Sequence, residues 1–182
     1  MQKNIFSLGS WITIGHPSIA EVMAEAGFDW LCIDLEHSVT DYAEAQQLIM
    51  AIQGRGLKAF VRVGENNTRI IKRILDAGAD GIIVPSVNSA SEARKAVDAI
   101  KYPPYGKRGV GLARAQSYGF GFDDYCYNKS KEIKLIVQIE LFKLINIPKS
   151  FNIFYEIVQI SFVGNSKCVL ISFKFILLHK LP

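Results

Sequence analysis

The chain has 182 residues, 49% of them hydrophobic, so it is one ordinary domain with apolar content for a substantial core. It is short of the ~250 residues of a complete eight-stranded α/β barrel. The charge is uneven: residues 1–140 hold 16 Lys+Arg and 16 Asp+Glu, while residues 141–182 hold five Lys, no Arg, one Glu and no Asp, scattered among apolar residues, which argues against a nucleic-acid-binding face.

A first strand is expected near 9–14. Gly15-His16-Pro17 follows it, and His16 reads as a rim residue rather than a base. A helix near 17–26 ends in Ala-Gly27-x-Asp and passes into an apolar run over 30–34. The same junction, Ala-Gly78-x-Asp, recurs before an apolar run over 81–85. Glycine at each junction suits the left-handed position that ends a helix. Runs that are apolar on successive residues signal strands buried on both faces, as in parallel sheets.

Strand two closes in Ile33-Asp34-Leu35-Glu36-His37, three ionisable groups within four positions. A helix over 41–54 leads to a strand near 58–63, where Arg62 interrupts an apolar pattern. Arg62 is expected either to pair with Asp34 or Glu36 or to serve a ligand, because a buried charge is costly without a partner. A helix over 67–77 ends at Asp76, with Thr68 beside its cap; Asp76 is expected to cap the helix or pair with Lys72 or Arg73. A further helix spans 89–100, with Ser91 near its start.

Residues 102–131 break the rhythm with Tyr102-Pro-Pro-Tyr-Gly-Lys-Arg108-Gly and a Gly/Tyr/Phe-rich stretch. Either a functional loop with a small helix or a loop packed over a rim fits it. The fifth strand, 134–140, ends in Gln138-Ile139-Glu140, and the period of two puts Gln138 and Glu140 on one side. Strict β-α alternation over five strands implies a parallel α/β architecture. In a parallel barrel the C-terminal strand ends share one face, where active sites lie, so Asp34, Glu36, His37, Arg62, Gln138 and Glu140 are expected to converge.

After Glu140 the composition changes. Residues 141–182 contain no Ala, a single Gly, Gly164, and six of the eleven Phe. Phe151 to Val163 and Cys168 to Leu178 read as strand-like, the latter too short for the ~20 residues of a membrane span. No membrane partner is expected. Three cysteines without a Cys-x-x-Cys pair, and no basic-then-apolar leader, fit a cytoplasmic protein.

Residues 9–140 resemble the HpcH/HpaI aldolases, metal-dependent enzymes of the 4-hydroxy-2-oxoheptanedioate aldolase type. The resemblance rests on Ala26-Gly-Phe-Asp-Trp-Leu-Cys-Ile-Asp34, Glu36-His37, Val61-Arg62, Leu75-Asp76-Ala-Gly, Val84-Pro85, Tyr102-Pro-Pro-Tyr-Gly-Lys-Arg-Gly-Val-Gly111 and Val137-Gln-Ile-Glu140. It implies a TIM (β/α)8-type barrel, here incomplete with about five βα units and an atypical tail. It also implies cleavage of a 4-hydroxy-2-oxo acid to pyruvate and an aldehyde, a small 2-oxo acid substrate and a homo-oligomer. By the resemblance His37 is the general base and Arg62 stabilises the transition state. Asp76 tunes the His, in all expectation across a subunit boundary. Gln138 contacts substrate, and Glu140 ligates a divalent Mg, Mn or Co.

The family continues with a strand ending in Gly-Pro-x-Asp-Leu, whose Asp is the second metal ligand. No Asp or Gly-Pro follows residue 140 here. The expectation is an aldolase portion over 1–140 followed by a frameshifted tail over 141–182, with weak metal binding. A non-catalytic member or gene fragment of the family is the alternative.

Overall fold

A computed structural model of the protein describes residues 7–139, together with the backbone strands 155–163 and 167–175. Four βα units come first: β1 (Gly9–Ile12), α1 (Pro17–Ala24), β2 (Trp30–Asp34), α2 (Tyr42–Gly54), β3 (Lys58–Arg62), α3 (Thr68–Asp76), β4 (Gly81–Val84) and α4 (Ala90–Ile100). Short helical turns between Arg114 and Glu132 lead to β5 (Lys134–Ile139). Strands β1 to β5 are parallel neighbours in chain order. Two further strands, β6 (Tyr155–Val163) and β7 (Lys167–Phe175), extend the sheet antiparallel from β5. The two strand-like stretches of the tail thus contain strands, each shorter than expected, with β7 beginning one residue earlier, at Lys167.

Helix ends follow local chemistry. Asp41 accepts from the amides of Ala43 and Glu44, and Glu44 returns a bond to the Asp41 amide, a complete capping box on α2. His16 caps α1 through Nδ1, which accepts from the Ser18 amide. The caps of α3 and α4 are Asn67 and Ser89. Thr68 is therefore the cap's immediate neighbour, and Ser91 lies one position further in than expected. Gly27 and Gly78 take positive φ, 82° and 102°, as the repeated junction requires.

The repeat also has a structural purpose visible only in three dimensions. Asp29 and Asp80 occupy equivalent positions. Each accepts a neighbouring strand's amide through its side chain, from Leu8 and Ala59. Each also donates its own amide to that residue's carbonyl. Their carbonyls accept from Lys58 and Lys134, the first residues of the strands on the other side. Each junction Asp pins the start of its own strand and both neighbours, which sets the parallel register.

Side-chain alternation divides the sheet into two faces. Leu31, Ile33, Ala59, Val61, Ile82, Val84, Leu135 and Val137 face the helices and form the main core. The other parity places Trp11, Trp30, Cys32, Phe60, Ile83 and Ile136 in a second cluster on the inner face. Trp30 and Phe60 stack there with ring centroids 5.4 Å apart. Gly9 and Gly81 leave room for these rings: a Cβ at Gly9 would strike the Trp30 ring, and one at Gly81 would lie 2.9 Å from Phe60. Asp34, Arg62 and Gln138 share this inner parity at the C-terminal ends of β2, β3 and β5.

Candidate active site

Asp34 ends β2 and Arg62 ends β3, and the parallel register sets them side by side. The pair is bidentate. Arg62 Nε donates to Asp34 Oδ1 at 2.9 Å, and Nη2 donates to Oδ2 at 2.6 Å. Planar two-point pairing of this kind is strong and fixes orientation as well as charge. Asp34 Oδ1 also accepts the backbone amides of Glu36 at 3.0 Å and His37 at 3.2 Å. Ser38 Oγ donates to the Asp34 carbonyl, closing the turn.

Glu36 approaches the same guanidinium from another side, 3.2 Å from Nη1. Trp11, on β1, lies under it with 4.5 Å from the guanidinium carbon to the ring. Of the two readings open for Arg62, ion pairing or service to a ligand, the structure shows pairing, and with both carboxylates rather than one. His37 stands outermost, its side chain 70% exposed, with Nε2 3.7 Å from Glu36 Oε2. That separation exceeds a hydrogen bond, so the imidazole is not held by Glu36.

The electrostatics follow from this arrangement. Burial raises the Asp34 carboxyl, but the Arg62 hydrogen bonds and charge and the two turn amides outweigh burial and hold it below the usual carboxylate range. Burial likewise disfavours the Arg62 cation, and Asp34 and Glu36 more than offset it. Beneath them the fully buried Cys32 thiol is pushed far up by desolvation, so it is a packing residue rather than a nucleophile.

Gln138 is 4% exposed at the end of β5, and its carbonyl accepts the Val87 amide at 2.9 Å. Its side-chain Oε1 is buried without a hydrogen-bond partner, an acceptor left for something other than the described protein groups. Glu140 lies outside the described residues. Among the described residues no group of three or more His, Cys, Asp or Glu is arranged to hold a metal ion. No helix among them is long and apolar enough to cross a membrane.

Asp76 sits at the other end of the sheet, where α3 turns towards the start of β4. The expected pairing with Lys72 or Arg73 gives way to Arg108: Arg108 Nη2 lies 2.7 Å from Asp76 Oδ1. The cause is burial. The Arg108 side chain is fully enclosed, bonded to Tyr125 Oη at 2.9 Å and flanked by the Tyr102 ring at 4.8 Å, so it needs the carboxylate. Arg73 instead packs on the Tyr42 ring. Within one chain, therefore, the structure brings Asp34, Glu36, His37 and Arg62 together and leaves Asp76 apart from them.

A cleft of about 830 Å³ opens near Asp76's end of the sheet, lined by Gln53, Lys58, Asp80, Arg114 and Lys134 among others. Its size does not make it the reactive site. Lys58 is paired with Asp80 and Arg114 donates to the Ala77 carbonyl, whereas the strand ends of β2 and β3 gather the ionisable groups. The 102–131 segment packs at this N-terminal end rather than over the face that carries His37.

Two residues escaped sequence reasoning. Trp11 had a readable signal, its inner parity on β1. Arg108 lay in a recognisable motif, but nothing local announced that it would be buried on Asp76.

Five parallel strands with alternating helices, and a charged cluster on their C-terminal ends, define the opening portion of a TIM-type α/β barrel. The HpcH/HpaI aldolase/citrate lyase family model matches residues 7–146, and the chain belongs to that family. It is 41% identical over 133 residues to a hydroxypyruvate/pyruvate aldolase of Roseobacter denitrificans, covering 72% of this chain and 52% of the relative. It is 40% identical over 141 residues to a 2-dehydro-3,6-dideoxy-6-sulfogluconate aldolase of Pseudomonas putida, covering 77% and 55%. A crystal structure of a family member from Burkholderia cenocepacia superposes with a TM-score of 0.69 at 35% identity, over 74% of this chain and 55% of the other. The chain spans about half the length of the curated relatives it matches.

Proposed function

We propose that this chain carries the aldolase half-site of a carbon–carbon lyase that cleaves a 4-hydroxy-2-oxo acid to pyruvate and an aldehyde. The observation that supports it is Arg62, locked on Asp34 at the C-terminal strand ends with His37 exposed beside it. Asp34 takes the Nε/Nη2 edge of the guanidinium and Glu36 faces Nη1; a guanidinium carries five N–H donors, more than these contacts use.

In this reading His37 removes the proton of the 4-hydroxyl as general base, a role its exposed imidazole at the strand ends can serve. The hydroxyl oxygen becomes the aldehyde carbonyl, the bond between carbons 3 and 4 breaks, and its electron pair forms the pyruvate enolate. Arg62 donates to the enolate oxygen; removing one such preorganised donor costs about 2.7–4 kcal/mol in comparable sites. Protonation of carbon 3 completes pyruvate. No lysine ends any of β1 to β4, which disfavours a Schiff-base route.

The oxygen-donor chemistry fits a hard divalent cation such as Mg, Mn or Co. Gln138 Oε1 is a buried acceptor without a partner among the described groups, and by the family resemblance Glu140 would hold the ion. When bound, the ion would supply Lewis-acid polarisation of the 2-oxo group. Asp76 would act on a His37 of another copy in a homo-oligomer. A coupled assay for pyruvate release, run on 4-hydroxy-2-oxo acids with added metal, tests the reading. Release above metal-plus-buffer supports it, and its absence at high protein concentration rejects it.

One observation favours a second reading, a non-catalytic member of the family: no Asp follows Glu140 and the only later acidic residue is Glu156. Under that reading the aldolase portion ends near residue 140 and 141–182 is a tail of foreign reading frame. Glu140-dependent metal binding by calorimetry counts against it.

A further inference from the structure

We propose that Asp34 is the positioning residue of this site, coupling the Arg62 guanidinium and the His37 turn through a single carboxylate. The inference rests on the aldolase reading for its kinetic consequence, but its geometry stands apart from it.

Four donors converge on the two oxygens of Asp34: Nε and Nη2 of Arg62 and the amides of Glu36 and His37. The first two fix the plane of the guanidinium. The last two fix the backbone from which the imidazole projects. The side chain is 4% exposed, so none of these bonds exchanges freely with water. Arg62 ends β3 and His37 lies in the turn after β2, with all of α2 between them in the chain. Asp34 hydrogen-bonds both the Arg62 guanidinium and the His37 amide.

The other contacts to Arg62 cannot substitute. Glu36 meets the guanidinium at Nη1, 3.2 Å away, a one-atom contact that does not define a plane as the Asp34 pair does. Trp11 stacks against its face, which limits tilt but not rotation in the plane. Only the two-point contact to Asp34 sets the direction in which the remaining N–H groups point. Rates are sensitive to such direction, since misplacement of about 1 Å can cost a hundredfold.

Asp34→Asn is nearly isosteric. Its remaining oxygen can still accept the turn amides, while its amide group faces Arg62 Nη2 donor to donor. Asp34→Glu keeps the charge but shifts it by one methylene. Two readouts apply to both variants: deuterium exchange of the pyruvate methyl group with added Mn²⁺, and the Arg62 Nε–H signal by NMR, assigned with Arg62→Lys. The proposal expects both variants to keep the wild-type circular dichroism, to lose exchange turnover about 10- to 100-fold with KM changed far less, and to lose the shifted, slowly exchanging Nε–H signal. A protein destabilised without loss of positioning would instead keep turnover below its melting transition.

Wild-type turnover in Asp34→Glu, or an unaltered Nε–H signal in Asp34→Asn, overturns the proposal. If the wild-type chain shows no exchange at all, the aldolase reading fails, and the Nε–H signal alone decides whether Asp34 positions Arg62. If Asp34→Asn does not fold, Asp34→Glu decides by the same two measures.

Discussion

Asp76 and Arg108, 32 residues apart, form a 2.7 Å ion pair in which the arginine side chain is wholly enclosed and the aspartate only 15% exposed. The pair anchors the 102–131 segment against the end of α3. Removing one partner leaves an uncompensated buried charge, which costs about 3–5 kcal/mol. Asp76→Ala is therefore expected to lower unfolding stability in urea by about that amount. Combining it with Arg108→Met should recover part of the loss, because the stranded cation is gone. A near-additive double mutant would show that the two residues do not depend on each other.

The inner face predicts a second effect. An added methyl at Gly9 meets the Trp30 ring, and one at Gly81 lies 3.0 Å from the Lys134 carbonyl and 2.9 Å from Phe60. Overpacking of this kind costs about 1–3 kcal/mol. Gly9→Ala should shift Trp30 emission as well as the melting midpoint, because only ring displacement relieves the contact. By contrast, Gly54→Ala meets nothing within 4 Å and should leave both unchanged or slightly improve stability, as expected in a helix.

Acid tests the electrostatics of the strand ends. The Asp34 carboxyl is held below its ordinary value in the folded state, so the unfolded chain binds its proton first as pH falls. Its contribution to stability is fully present above the unfolded value near 3.9 and is lost as pH drops through the folded value. Urea titrations of wild type and Asp34→Asn at a series of pH values should show a gap that is constant from pH 7 to about pH 5 and narrows below about pH 4. A gap that widens in acid would mean that the carboxyl is raised instead.

Much of the scaffold was legible before any coordinates. The five parallel strands and four helices lie within a few residues of their expected limits, because apolar runs, helix periodicity and the two Ala-Gly-x-Asp junctions are local signals. The rim cluster was legible too, since chain order in a parallel sheet places Asp34, His37 and Arg62 at one end. What stayed hidden depends on contacts between distant positions. Arg108 meets Asp76 across 32 residues, and the burial that compels the pair has no signature in either neighbourhood. Asp34 read as an ion-pair partner, but its hold on the His37 amide emerges only from the turn that follows β2. Glu140 lies outside the described residues, so its place in the site rests on strand parity with Gln138.

The central claim is that His37 and Arg62 form the proton-transfer and enolate-stabilising centre of an aldolase-type site. Proton exchange of the pyruvate methyl group in deuterated water, with Mn²⁺, Co²⁺ or Mg²⁺, reads that step without needing the aldehyde partner. Metal-dependent exchange above buffer plus metal is expected, and it should fall to background in both His37→Ala and Arg62→Ala. Exchange indifferent to both substitutions, or none at high concentration of folded wild-type protein, would contradict the claim.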